Sequence, residues 1–307
     1  MNLTVAVCAR NAEKHIADCL ESINKQSIKP YQVLVIDDHS IDCTPEIAQK
    51  MGAKVILNEG RQLYDGRNTA LKHCDTEVLA FTDADCVLDE KWVENIIHVL
   101  NTHDVVGGTG PHPPIGSSGF PGWLHHMWFL VEITKTGYTG GIIGGNSYFR
   151  TESLKKIGGW ISLPYSNAED VYIAEKLKEA GYKLWFDEQI VANHKYTSSF
   201  IGLMKKTVVS GEAITYMMKI SGIRNGLWIY TLAILSVAVM TILSAGLSFY
   251  SLKLSLTAIG VIFGGTLVFF WYRFKSIQAA IPRWFARWVI IWPYSKGVLL
   301  GLLKKNK

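Results

Sequence analysis

The 307-residue chain has no CxxC pair, no dense basic block and, near its C-terminus, two long stretches without a single charge. Each absence narrows the field. The five cysteines (Cys8, Cys19, Cys43, Cys74, Cys86) are odd in number and all lie ahead of residue 90. Without paired spacing they argue against a zinc ribbon or a dithiol redox motif, and they read as reduced, small packing residues of a cytosolic domain. A formal net charge of +5 with no Lys/Arg cluster argues against nucleic acid as a partner. The opening "MNLTVAVCARN" has no basic segment before a long apolar core, so a secretory signal is not expected.

What the chain does have is a shift in composition. Up to about residue 220 charges are well mixed. Residues 227–250 and 254–272 carry none, and each reaches the roughly 20 apolar residues that span a bilayer core. Joined by "SLK", they predict a transmembrane helical hairpin, with Gly260 and Gly264 permitting close helix contact. Residues 277–303 are apolar but interrupted by Arg287, Pro293 and Lys296. They are expected to be interfacial or re-entrant, with Trp284, Trp288 and Trp292 among the head groups. Lys219 and Arg224 precede the hairpin, and Arg273, Lys275, Arg283 and Arg287 follow it. Positive-inside bias then places both flanks in the cytoplasm of a multi-pass membrane protein, with membrane lipids as partners. The expected domains are 1–220, cytosolic, and 221–307, membrane.

The first 220 residues alternate strand and helix signals. "LTVAVC" is a buried-strand run, and Ile16, Leu20 and Ile23 share a face of a helix expected over 12–26. "YQVLVIDD", a helix opened by Thr44 and Pro45, "KVIL", the helix "DGRNTALKHC" and the strand "EVLAFTD" continue the series. This spacing predicts βαβ units, an α/β fold and a parallel sheet whose ligands sit at the strands' carboxyl ends. "RNAEK", "DDHS" and "DADC" fall there. Residues 107–122 are Gly/Pro-rich and predict a long functional loop. "GWLHHMWFLVEI" is either core or lipid-facing, and "KLWFDEQIVA" reads as one strand.

Five places can carry chemistry. Asp37 and Asp38 end a strand and can accept hydrogen bonds from a base and ribose, or, with Asp42 and Thr44, cap the next helix. Arg67 and Asn68 at a helix start can hold phosphate or position a neighbouring loop. Asp83 and Asp85 are either a turn extending to Asp89 or, one face of a strand being shared by i and i+2, two hard ligands for Mg²⁺ or Mn²⁺. Glu169 and Asp170 open a helix that Asn167 can cap; they either suit its dipole or include a general base. His194 follows a strand, where an imidazole is a packed side chain or an additional metal ligand.

In order, "RNAEKHI", "DDHSIDCT", "DGRNTAL", "FTDADC", "GGNSYFR", "GGW", "AEDVYIAEKLKEAGYK" and "NH" resemble the family 2 inverting glycosyltransferases of GT-A fold across roughly residues 3–195. The resemblance implies a nucleotide-diphospho-sugar-binding fold with a mostly parallel sheet. It implies that Ala9, Arg10 and Glu13 line the nucleotide pocket, that Asp38 contacts the base, and that Asp65 and Arg67 lie near the nucleotide. Asp83, with Ala84 beside it, contacts ribose or a metal-bound water. Asp85 binds the cation, with Asp83 and His194 as further candidates. Asp170 is the base, with Glu169 next to it. "CARN" replaces the proline and aromatic that many members carry before Asn, and the QxxRW motif of processive synthases is missing, which favours transfer of a single sugar. The implied donor is a UDP- or GDP-sugar, the cofactor Mn²⁺ or Mg²⁺, and the acceptor lipid-linked or a membrane-proximal glycan. Two rivals stand beside this reading. One is a polyprenyl-phosphate sugar synthase, whose phosphate acceptor needs no strong base; the other is a catalytically silent membrane scaffold.

Overall fold

The computed structural model describes residues 1–115, 119–129, 135–165, 167–196, 199–221, 226–246, 251–274 and 277–304. The chain forms two compact units, Met1–Ser118 with Glu132–Tyr196, and Gly119–Val131 with Thr197–Lys307.

In chain order the first unit begins with β1 (Leu3–Ala9), α1 (Ile16–Asn24), β2 (Gln32–Asp37), α2 (Thr44–Lys50), β3 (Lys54–Leu57), α3 (Leu63–Lys72), β4 (Val78–Asp83) and β5 (Cys86–Leu88). It continues with α4 (Trp92–Thr102) and β6 (Gly107–Thr109), then the chain enters α5 (Gly119–Phe129) of the second unit. Back in the first unit follow β7 (Gly137–Thr139), β8 (Asn146–Arg150), α6 (Thr151–Lys156), α7 (Glu169–Glu179), β9 (Leu184–Phe186) and β10 (Ala192–His194).

Eight strands form one sheet in the order β3-β2-β1-β4-β8-β6-β9-β7. The half containing β3, β2, β1 and β4 is parallel, as the βαβ pattern requires. Beyond β4 the antiparallel β8 intervenes, and β7 closes the far edge antiparallel to β9. Leu3, Val5 and Val7 alternate onto a core with Ile16, Leu20 and Ile23 of α1 and Trp92, Val93 and Ile96 of α4. Each such buried side chain contributes about 1.5–3 kcal/mol. The first helix starts at Ile16, later than its apolar period suggested, because Ala12–His15 turn back to hydrogen-bond the loops beside them.

Two expectations fail for local reasons. Gly107–Thr109, at the head of the expected loop, is a central strand. A Cβ at Gly107 or Gly108 would lie 2.4 Å from the Tyr148 carbonyl or 2.1 Å from that of Trp185, so these glycines mark close strand approach. The single strand expected at "KLWFDEQIVA" is split into β9 and β10 by an Asx turn, in which the Gln189 N–H donates to Asp187 Oδ1 at 2.9 Å.

The second unit is helical: α5, α8 (Phe200–Ser221), α9 (Gly226–Gly246), α10 (Leu252–Phe274) and α11 (Ile277–Leu303). It starts well before the composition shift, since α8 packs along α11. Their close approach needs glycine: a Cβ at Gly211 would meet the Tyr294 carbonyl at 2.4 Å, and one at Gly297 the Val208 carbonyl at 1.9 Å. At Gly260 and Gly264 a Cβ meets no described atom within 4 Å, so the expected GxxxG contact lies elsewhere, between α8 and α11. Residues 277–303 form one helix with Pro282 and Pro293 inside it. Leu124 of α5 joins Leu203, Ile290, Tyr294 and Val298 in a buried core, which settles that end of "GWLHHMWFLVEI" as packing. Among the described residues one helix, through Leu252–Phe269, is long and apolar enough to cross a membrane.

Candidate active site

The loops after β1 and β2 are laced together at the carboxyl edge of the parallel strands. The Asn11 N–H donates to Ser40 Oγ at 2.9 Å, the Ile41 N–H to Asn11 Oδ1 at 2.9 Å, and the Ala12 N–H to Thr44 Oγ1 at 2.7 Å. Asp42 caps the entry to α2 by accepting from the Thr44 N–H, and Pro45 follows at its start. Asp38 projects one residue past β2. Its Oδ1 accepts from Asn58 Nδ2 at 2.8 Å, and its Oδ2 lies 3.6 Å from the exposed guanidinium of Arg10. Glu13 Oε2 accepts from the Cys43 N–H. Ala9 and Ala84 are buried in the core, and the Ala9 carbonyl accepts from the Asp38 N–H at 2.8 Å.

The acid pair is held from α3. Tyr64, Arg67 and Asn68, spaced to share one helix face, all reach the segment 160–169. The Tyr64 hydroxyl donates to the Asn167 carbonyl at 2.8 Å, Asn68 makes two bonds to the Trp160 backbone, and the Trp160 indole donates to the Glu169 carbonyl at 3.1 Å. Arg67 is buried, 3.3 Å from Glu169 Oε1 and 4.7 Å above the Phe81 ring. The N-cap position of α7 does not fall on Asn167. Ala168 takes the N-cap position, in the left-handed conformation (φ 70°). Asp170 accepts from the Gly144 N–H at 3.4 Å and the Val171 N–H at 2.8 Å, and it is less buried than Glu169.

Burial raises both carboxyls above their ordinary range. For Glu169 the neighbouring Asp170 adds to the rise and Arg67 opposes it. For Asp170 the Val171 N–H and Arg67 pull the other way. Burial disfavours the charge on Arg67, but Glu169, with Cys8, Asp83 and Asp170 in support, holds it above its usual value. The three non-glycine residues with positive φ among those described, Asn11, His39 and Ala168, all flank this edge. Such conformations persist where surrounding contacts over-determine them.

A second cluster sits beside the first. β4 ends at Asp83, Ala84 and Asp85 turn, and β5 leaves to pair antiparallel with β10 in a separate two-stranded sheet. The register sets Cys86 opposite His194, and a bridge between Pro114 and His194 brings in His112. One ligand atom from each of Asp83, Cys86, His112 and His194 lies within 4.8 Å of the others. Cys86 Sγ is 3.1 Å from His112 Nε2, and Asp85 Oδ1 is 3.4 Å from His194 Nε2. His194 Nδ1 is buried with no hydrogen-bond partner. A Cβ at Gly145 would fall 2.3 Å from Asp83 Oδ2 and 3.1 Å from His112 Cε1, so the glycine keeps the space between them open. Carboxylates, imidazoles and an orphaned buried nitrogen around such a space fit a divalent cation.

Residues 4–158 match glycosyl transferase family 2. The chain belongs to that family. It is 26% identical over 247 residues to glycosyltransferase AglE of Haloferax volcanii, covering 74% of this chain and 79% of that protein. It is 21% identical over 274 residues to a dolichyl N-acetyl-α-D-glucosaminyl phosphate 3-β-D-2,3-diacetamido-2,3-dideoxy-β-D-glucuronosyltransferase of Methanococcus voltae, covering 80% and 83%. In three dimensions it is similar to the mannosyltransferase PcManGT of Pyrobaculum calidifontis, solved with GDP-Man and Mn²⁺. There the TM-score is 0.56 at 17% identity, over 98% of this chain and 84% of that one. The fold is thus GT-A-like, and the protein is a glycosyltransferase.

Within this family 2 frame the structure gathers Asp83, Asp85, His194, Arg67, Glu169 and Asp170 at one edge of the sheet, with Asp38, Arg10 and Glu13 on the loops beyond β1 and β2. The reason Asp83 and Asp85 share the site differs from the one expected. The strand stops at Asp83, so the turn, and not strand alternation, sets Asp85; Cys86–Leu88, expected as turn, is strand β5. Arg67 and Asp65 have internal partners. Arg67 holds Glu169, and Asp65 caps α3, accepting from the Arg61 and Gln62 N–H groups. Sequence reasoning passed over Cys86, His112 and Asn146. Asn146 is fully buried, accepts from the Trp92 indole at 2.7 Å, and donates to the Pro111 and Ile190 carbonyls, which fixes the segment carrying His112. The "GGN" run was the available signal.

Proposed function

We propose that the protein is a membrane-anchored, divalent-cation-dependent inverting glycosyltransferase that moves one sugar from a UDP- or GDP-sugar to a lipid-linked or membrane-proximal glycan acceptor. The observation that carries this reading is the placement of an acid pair and a donor cluster at adjacent glycines. Gly144 faces Glu169 and Arg67, and Gly145 faces Asp83 and His112. The glucuronosyltransferase of M. voltae is named for a dolichyl phosphate-linked sugar acceptor, and PcManGT was solved with GDP-Man and Mn²⁺. Both support the substrate classes proposed.

In this reading Asp38, Arg10, Glu13 and the backbone at Ala9 and Ala84 bind the nucleotide. Asp83, Asp85 and His194 hold the cation, Mn²⁺ or Mg²⁺. When bound, that ion stabilises negative charge on the departing diphosphate. Asp170 takes the proton of the acceptor hydroxyl as the hydroxyl oxygen attacks the anomeric carbon from the face opposite the diphosphate, which inverts the centre. Its carboxylate is aimed by two backbone N–H groups. Arg67 acts through Glu169, keeping a second carboxyl beside the base without leaving its charge uncompensated. Asp65 acts through the α3 cap.

Residues 1–220 are read as cytosolic, and α9 and α10 as the two membrane crossings of 221–307. The apolar side chains of α10 support this, since Leu254, Leu256, Val261 and Val268 are exposed in the fold. The test is a screen of UDP- and GDP-sugars with Mn²⁺ or Mg²⁺, scoring transfer to membrane lipid extracts. A metal-stimulated, anomer-inverted product is expected. A product with retained anomeric configuration, or nucleotide binding that Asp85→Ala leaves equally manganese-dependent, would refute the mechanism.

A further inference from the structure

Glycine 145 faces a donor set that differs in kind from the oxygen ligands Mg²⁺ prefers. Besides Asp83 it offers the Cys86 sulfur and the His112 and His194 imidazoles, all within 4.8 Å of one another. Each of the latter three is at least nine-tenths buried. We propose that Asp83, Cys86, His112 and His194 form a four-donor site for a borderline transition ion such as Zn²⁺ or Co²⁺, with Cys86 bound as thiolate.

Three observations carry it. First, His194 Nδ1 is buried and makes no hydrogen bond, although its other ring nitrogen faces Asp85 at 3.4 Å. A ligand would satisfy it. Second, the donors are held by supports of the kind that orient metal ligands. The Tyr196 hydroxyl donates to the His112 carbonyl at 2.8 Å, Asn146 pins the neighbouring Pro111 carbonyl, and the β5–β10 register fixes Cys86 against His194. Third, the charges close. A dication with one carboxylate and one thiolate is neutral, which a buried site favours. The thiol proton leaves to solvent as the metal–sulfur bond forms. Thiolate and imidazole select Zn²⁺ and Co²⁺ over Mn²⁺, and a filled four-donor shell leaves no position for a diphosphate oxygen. Because Asp83 and His194 also serve the proposed Mn²⁺ or Mg²⁺ clamp, the inference rests on that reading in one respect: the two ions exclude one another, so Zn²⁺ inhibits nucleotide binding.

The experiment is titration of the purified full chain with Co²⁺, read by absorption. Thiolate-to-cobalt charge transfer in the near ultraviolet with tetrahedral d–d bands is expected. Cys86→Ser should abolish the charge-transfer band and weaken Co²⁺ by at least the roughly 10- to 100-fold that loss of a supporting shell costs. His112→Gln, a second variant should the first fold poorly, should keep the sulfur band and alter the d–d bands. Cys43→Ser, at an exposed cysteine, should leave the spectrum as it is. A wild-type spectrum without a sulfur band, or one that survives Cys86→Ser, overturns the site. The two readings fail separately. Mn²⁺-dependent UDP or GDP binding with no cobalt–thiolate band sinks this inference alone, whereas the band with no Mn²⁺-dependent binding of either nucleotide sinks the donor reading alone. Mn²⁺-dependent nucleotide binding that saturating Zn²⁺ does not weaken overturns the shared-position claim.

Discussion

Two consecutive glycines, Gly144 and Gly145, look onto two clusters that neutralise acid in different ways. On the Gly144 side a cation is built in. Arg67 is buried against Glu169 and braced by Phe81. On the Gly145 side two imidazoles and a thiol gather around Asp83. The first cluster has its charge compensation in the sequence and its geometry locked from α3. In the mechanism proposed above, the second receives its positive charge from outside. The difference teaches that carboxylates of one edge sit in separate surroundings, to which that mechanism gives separate duties: one side moves a proton, the other holds a cation.

The sharpest way to break the comparison is at the base. Asp170→Asn should lower kcat about 10²- to 10⁴-fold while nucleotide-sugar affinity stays within a few-fold. Substantial turnover in steady-state assays would instead favour the polyprenyl-phosphate sugar synthase. The pH profile adds a sign. A base works only when deprotonated, and burial raises the Asp170 carboxyl. The acid limb of kcat should therefore fall off above the ordinary Asp value of about 3.9.

Next in size is the built-in cation. Arg67→Met leaves Glu169 buried without its partner, a change of about 3–5 kcal/mol in unfolding free energy. Adding Glu169→Gln should recover much of this in thermal or denaturant melts. If the single and double variants melt alike, the pair is not what holds the Gly144 side. Smaller again is Gly145→Ala, whose methyl group would meet Asp83 at 2.3 Å. Overpacking of this kind costs about 1–3 kcal/mol. Calorimetry should show divalent-cation binding weakened far more than in Gly144→Ala, which strikes the Glu169–Arg67 pair instead. Equal losses in the two variants would erase the distinction drawn here.

Much of this was legible in the sequence because it is local. Continuous apolar runs gave β1, β2 and β4, and their parallel order put "DDHS" and "DADC" at one edge. Arg67 and Asn68 were visible at a helix start, but nothing in a linear reading says that they, with Tyr64, grip Trp160 and Glu169, about 100 residues on. Cys86 and His112 were missed for a related reason. Their meeting depends on the three-residue strands β5 and β10 pairing across the chain, and strands so short leave almost no periodic signal. Gly107 and Gly108 misled because glycine reads as loop, whereas here it is the residue thin enough to lie between two strands.

The smallest predicted effect concerns the turn that leads into α7, the helix carrying Glu169 and Asp170. Ala168 sits at φ 70° immediately before Glu169 and Asp170. For a residue with a Cβ that region costs about 1–2 kcal/mol, a cost glycine escapes. Ala168→Gly gives back part of the relief through the freer unfolded chain, about 0.4–1 kcal/mol. The net should be a gain of roughly 0.5–1 kcal/mol in unfolding free energy. If the strained turn holds Asp170 in its firing position, the same variant should lose kcat with little change in the binding of nucleotide-sugar, because loosening the start of α7 touches the Gly144 side and spares the Gly145 side. A variant both more stable and fully active would show that the left-handed turn is mere packing, and that Tyr64, Arg67 and Trp160 suffice to aim the base.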